Sequence, residues 1–202
     1  VYINSMKKKD ETKYETIIQA AIKIIVTEGA ASLSTTKVAK AVGISQSNIY
    51  IYFKNKSDML LQVFEHEQAI MRQSITTMIT AEPTTAGQVR AWLRMLYHIA
   101  VTKPDTLTTV SQIKQLPDSP VFNTTPADPA DAQQNIVADM LQAGVAKGDL
   151  RNMPVQVFMT MAFSTIVTYV RQRALTTENE ADFDQVYAML WLAMKEERHE
   201  EN

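Results

Sequence analysis

Apolar residues recur at helical spacing along nearly the whole chain. Ile17, Ile18, Ala21, Ile24 and Ile25 fall on one stripe, and Gly29 follows where a helix stop belongs. Val38, Ala39 and Val42 make a short second stripe, preceded by Ser34-Thr35-Thr36 as capping material and closed by Gly43. Ile49, Tyr50 and Phe53 make an equally short third. Met59, Leu60, Val63, Phe64 and Ile70 open a longer helix behind Asn55 and Ser57, which can cap it. Pro83, Pro104, the Pro117–Pro129 stretch and Pro154 divide the remainder into further helices. No alternating run bounded by turn dipeptides points to a sheet. The pattern predicts an all-α chain of about nine helices.

The second and third stripes are too short to stand as independent helices, and a glycine-containing turn joins them. That is the outline of a helix-turn-helix. Ala39 is small where the following helix must cross close by. Gly43, four residues on, suits a left-handed turn, and Ile49 and Phe53 plug the second helix into a core. Its outward positions are then Gln46, Ser47, Asn48, Tyr50 and Tyr52. Gln and Asn can pair with base edges in a major groove, and short serines let a helix approach closely. Tyrosine hydroxyls and the ammonium of Lys56 can donate to phosphates, which positions a protein without reading sequence. Ser34, Thr35 and Thr36, with Ser45, can meet the backbone in the same way.

Charge strengthens this reading. The net charge is −2. Residues 1–60 nevertheless carry nine lysines and five acids, or +4, so the rest of the chain sums to −6. A basic first third on an acidic body suits a polyanionic partner. The chain has no cysteine, which removes disulfides and thiolate metal sites and fits a reducing cytoplasm. No span of 18 residues runs without polar interruption, so no membrane partner is expected. His66, His98 and His199 occur without any H-E-x-x-H, Gly-x-Ser-x-Gly or phosphate-loop pattern, so neither catalysis nor a metal or other cofactor is expected. Residues Glu65 to Glu67 point about 100° apart on a helix and cannot converge on one ion.

The C-terminal body has a character of its own. Residues 155–173 place Phe158, Met159, Ala162, Phe163, Ile166, Val167, Tyr169 and Val170 over more than half a helical circumference, which calls for burial on two sides. Phe183, Val186, Tyr187, Leu190 and Met194 line one face of the last helix, with Trp191 and Leu192 displaced from it. Two such helices per chain suit a four-helix interface across a two-fold axis. Trp92, Tyr97, Phe158 and Tyr169 are the candidate lining of a ligand cavity, with Met95, Phe122, Met140 and Met161 as further apolar candidates. His98, with Arg90 and Arg94, falls opposite the Val89-Leu93-Leu96 stripe and is expected at the surface. The proline-rich Pro117–Pro129 segment reads as a connector or a lid.

The stretch TTKVAKAVGISQSNIYIYFKNKSDML closely resembles the DNA-binding signature of the TetR family of bacterial transcriptional regulators. The matching residues are Val38-Ala39, Ala41, Gly43-Ile44-Ser45, Ile49-Tyr50, Tyr52-Phe53 and Lys56. The resemblance covers roughly residues 12 to 65. Thr36 stands where several relatives carry a basic residue, and Asn48 where Thr or a small residue is common. The resemblance implies an N-terminal three-helix DNA-binding domain, 1–58, and a helical dimerisation and effector-binding domain, 59–202. It further implies a homodimer that binds a palindromic operator on double-stranded DNA, usually as a repressor, and is released by a small-molecule effector. Control by a protein partner instead of a small ligand is the alternative.

Overall fold

In a computed structural model, residues 2–122 and 136–197 are described. They contain nine α-helices: α1 (Tyr2–Glu28), α2 (Thr35–Val42), α3 (Gln46–Ile49), α4 (Lys56–Thr80), α5 (Thr85–Thr102), α6 (Pro104–Lys114), α7 (Ile136–Ala146), α8 (Val155–Gln172) and α9 (Glu180–Met194). Two 3-10 turns, Ala30–Ser32 and Pro120–Phe122, complete the helical content. Apart from one isolated bridge between Leu150 and Lys195, no β pairing occurs among these residues. The all-α expectation therefore holds. Pro126, Pro129, His199 and the side chain of Phe122 lie outside the described residues.

The chain divides into two compact units, residues 2–69 with 105–122 and residues 70–104 with 136–197. The dividing points fall inside α4 and just after the start of α6. Packing therefore groups α6 with the N-terminal elements, whereas a division at 58/59 would cut α4 in its first turn.

In the first unit, α1 buries Ile17, Ile18, Ala21, Ile24 and Ile25, the stripe visible in the sequence. Val38, Ala39, Ile49, Phe53, Met59, Leu60 and Val63 complete the core around it. Asn55 caps α4 by accepting the Asp58 N–H at 2.9 Å, and Asp58 in turn accepts the Lys54 N–H at 2.7 Å.

In the second unit, α5 packs on α7, α8 and α9. From α8, Val155, Phe158, Ala162, Ile166 and Val170 form one buried stripe. From α9, Phe183, Val186, Leu190 and Met194 do the same. Thr84 caps α5 through the Gly87 N–H, and Asn179 caps α9 through the Ala181 N–H. Arg94 lies over the Phe183 ring at 3.7 Å and pairs with Glu180, while Arg90 pairs with Asp184 at 2.6 Å. His98 is exposed, as expected, with Nδ1 2.6 Å from Glu178.

Candidate nucleic-acid interface

Helices α2 and α3 are placed by local signals. Ser34 is extended and accepts the Lys37 N–H at 3.2 Å, which starts α2. Gly43 ends it with φ +75°, a left-handed conformation that a side chain would strain. The Ile44 N–H then bonds back to Ala39 O at 3.0 Å, folding the turn against α2. Ile49 and Phe53, both fully buried, anchor α3 and the helical turn that continues it.

The polar residues on this pair are already organised among themselves. Gln46 Nε2 donates to Thr35 Oγ1 at 2.9 Å and to the Tyr50 hydroxyl at 3.2 Å. Thr35 Oγ1 and the Tyr50 hydroxyl are 3.5 Å apart. Asn48 Nδ2 donates to Ser45 Oγ at 3.0 Å, and Ser45 Oγ lies 2.8 Å from Ser47 Oγ. The first trio links α2 to α3; the second runs along the start of α3. With both amide hydrogens of Gln46 engaged, its carbonyl oxygen is the group left for a base donor such as adenine N6 or cytosine N4.

Exposure sorts the sequence candidates. Thr36, Ser45, Gln46, Ser47 and Tyr50 are exposed, while Ser34 and Asn48 are half-buried. Thr35 is buried and supports Gln46 and Tyr50 from behind. Tyr52 is half-buried instead of fully outward: its ring packs 6.3 Å from Tyr14 and 6.4 Å from Phe53. The reason is angular, since Tyr52 sits about 60° from Ile49 around the helical path, on the core side. Lys56 is half-buried too, and its ammonium donates to Ala31 O at 2.6 Å, leaving two further N–H groups for an anion. Lys40 and Lys54 are exposed beside this surface.

Three supporting residues were not singled out by sequence reasoning. Tyr14 stacks on Phe53 at 5.7 Å and packs against Tyr52; burial pushes its phenol up, with Glu15 and Asp58 adding to the shift. Its place one turn before Ile18 was the available signal. Gln112, on α6, accepts the Ala30 N–H at 2.9 Å. Ile51 is the most exposed large apolar side chain among the described residues, at 73%.

The four principal ligand candidates lie in the second unit. Trp92 and Tyr97 on α5 and Phe158 on α8 are buried, and Tyr169 on α8 is half-buried. The Tyr97 hydroxyl meets both the carbonyl and the N–H of Asn179 at 3.3 Å. The Tyr169 hydroxyl lies 2.8 Å from Asp182 Oδ1 and 3.0 Å from Gln185 Oε1. Both phenols thus have protein partners. An open depression of about 800 Å³ in the same unit is lined instead by Thr84, Thr85, Lys147, Asp149, Trp191 and Lys195. Among the described residues no cluster of three or more metal-ligating side chains occurs, and no helix is long and apolar enough to cross a membrane.

Residues 17–63 match the profile of the bacterial regulatory proteins of the tetR family. The chain is similar to the solved structure of a candidate transcription regulator from Lactobacillus plantarum, with 33% identity, a TM-score of 0.72, and coverage of 92% of this chain and 99% of that one. It is 26% identical over 160 residues to a fatty acid metabolism regulator protein of Bacillus subtilis, spanning 79% of this chain and 82% of that protein. The fold also matches a transcriptional regulator FadR of Bacillus subtilis solved with stearoyl-CoA, at 20% identity and a TM-score of 0.63, covering 89% and 98% of the two chains.

Proposed function

Because this chain belongs to the TetR family of bacterial regulatory proteins, we propose that it is a sequence-specific repressor that leaves a palindromic operator when a small effector binds. The observation that carries the reading is the pre-assembled surface on α2 and α3, where Thr35, Gln46 and Tyr50 form one hydrogen-bonded unit. Gln46 and Asn48 read base edges in the major groove. Ser34, Thr36, Ser45, Ser47, Tyr50, Tyr52 and Lys56 hold the phosphate backbone, and Thr35 orients Gln46.

Two copies of the chain supply the two half-sites. The faces of α8 and α9 turned away from the second unit's core support this. Val157, Met189 and Leu192 are exposed there at 42%, 54% and 57%, beside the small residues Thr160, Ser164, Ala181 and Ala188. A dimer through these faces presents two α3 elements to successive major grooves, about 34–36 Å apart. The effector acts by binding one of two dimer states better than the other. The fatty acid metabolism regulator of Bacillus subtilis and the stearoyl-CoA-bound structure make acyl-CoA thioesters the first class to screen. Trp92, Tyr97, Phe158 and Tyr169 are the residues to examine for contacts.

The test is selection of the purified protein against a randomised duplex library at two salt concentrations, followed by release assays with acyl-CoAs of graded chain length. A two-fold symmetric consensus with steep salt dependence, and loss of binding with one acyl class, support the reading. Binding that tracks salt alone overturns it. A consensus that no small molecule releases passes control of the protein to a partner chain.

A further inference from the structure

The helical path from Gln46 to Phe53 has a definite inside and outside. Ile49 and Phe53 are fully buried and mark the inner side. The path stays helical beyond the end of α3. The Tyr50 N–H bonds to Gln46 O at 3.3 Å, the Ile51 N–H to Asn48 O at 3.4 Å and the Phe53 N–H to Ile49 O at 3.0 Å. At about 100° per residue, Ile51 falls diametrically opposite the midpoint of Ile49 and Phe53, with Ser47 and Asn48 flanking it on either side. The crest of this element is therefore an isoleucine, not a polar residue.

A single exposed apolar side chain is ordinary on a protein surface. What distinguishes Ile51 is its place on the segment that, in the reading above, enters the major groove. The floor of that groove carries one apolar group, the C5-methyl of thymine. A cytosine at the same position offers no methyl and an N4 amino group that an isoleucine would desolvate without compensation. We propose that Ile51 reads a thymine in each half-site by packing on its C5-methyl. This inference rests on the DNA-binding reading and adds an apolar contact to the polar set of Gln46 and Asn48.

The experiment uses the full chain and its selected duplex site, with each thymine replaced in turn by deoxyuridine. That change removes the methyl and leaves pairing and hydrogen-bonding groups intact. At one symmetry-related pair of thymines, the unsubstituted protein is expected to lose about fourfold in affinity per half-site. Ile51→Ala is expected to bind the thymine site more weakly by a similar factor and to lose nothing further at that pair. It keeps the unsubstituted protein's response at every other thymine, and its Tm is unchanged because the side chain is exposed. Indifference of the unsubstituted protein to deoxyuridine at every thymine overturns the inference, as does undiminished sensitivity in Ile51→Ala. If Ile51→Ala weakens all duplexes alike with no deoxyuridine effect, the side chain lies on the sugar–phosphate backbone and the inference fails. Failure of the DNA-binding reading itself is separate, since it shows earlier as the absence of any consensus.

Discussion

Gln112 accepts the backbone N–H of Ala30 at 2.9 Å, joining α6 to the turn after α1 across 82 residues of sequence. Ala30 is buried, so that N–H has no water to fall back on. Gln112→Leu is expected to cost about 1–3 kcal/mol by orphaning the donor. That lowers Tm by about 2–4 °C for each kcal/mol in a chain of this size. Gln112→Glu keeps an acceptor and is expected to retain most of the stability. Equal melting of the two variants would show that the bond contributes little.

Lys56 donates to Ala31 O and, in the proposed function, also holds a phosphate. Lys56→Ala should reduce the slope of log affinity against log salt by about one and weaken all sequences alike. It should also lower Tm through loss of the Ala31 tether. A salt slope equal to that of the unsubstituted protein, with Tm reduced, would assign the lysine to the tether alone.

Thr35→Val separates orientation from contact. The substitution keeps the shape of a buried residue and removes the oxygen that holds Gln46 and Tyr50. Gln46→Ala is expected to cost about 1–3 kcal/mol on the best site and to blur one base position. Thr35→Val should blur the same position with a smaller loss and leave non-specific binding intact. Blurring at a different position would break the proposed link between these two residues.

The turn between α8 and α9 predicts a pH response. The Tyr169 hydroxyl at 2.8 Å, joined by the Arg173 guanidinium at 3.0 Å, holds the Asp182 carboxyl below its ordinary value of 3.8, against the opposing effect of its own burial. A depressed carboxyl binds fewer protons folded than unfolded. Its contribution is thus present above the ordinary value and lost as pH falls through the folded one. Acidification below about pH 4 should destabilise the protein, and Asp182→Asn should flatten that part of the profile. Thermal unfolding measured from neutral pH downward checks it; superimposable profiles would remove Asp182 from the account.

Leu192→Glu places a charge on the exposed face of α9 without touching the buried stripe of Phe183, Val186, Leu190 and Met194. If that face joins two copies, sedimentation should report a monomer with intact helicity and operator affinity should fall. A variant that sediments as the parent protein does would place the interface elsewhere.

Much of the α2–α3 pair was legible in the chain because it is built from short-range signals. Ser34 caps a helix whose first free N–H groups lie within three residues, and Gly43 supplies the one left-handed residue the turn needs. Ile49 and Phe53 are one helical turn apart, so their shared burial follows from periodicity alone. The lysine excess of residues 1–60 is likewise a property of composition. Tertiary structure decided which polar groups are spent inside the protein. Thr35 reaches Gln46 eleven residues away, Lys56 reaches Ala31 across 25 and Gln112 reaches Ala30 across 82. Such pairings depend on how helices cross, which periodicity does not encode. The same holds for the packing of Tyr52 against Tyr14 on α1. Local chemistry chose the elements, and the closing of one helix on another chose which side chains stayed exposed on the α2–α3 surface.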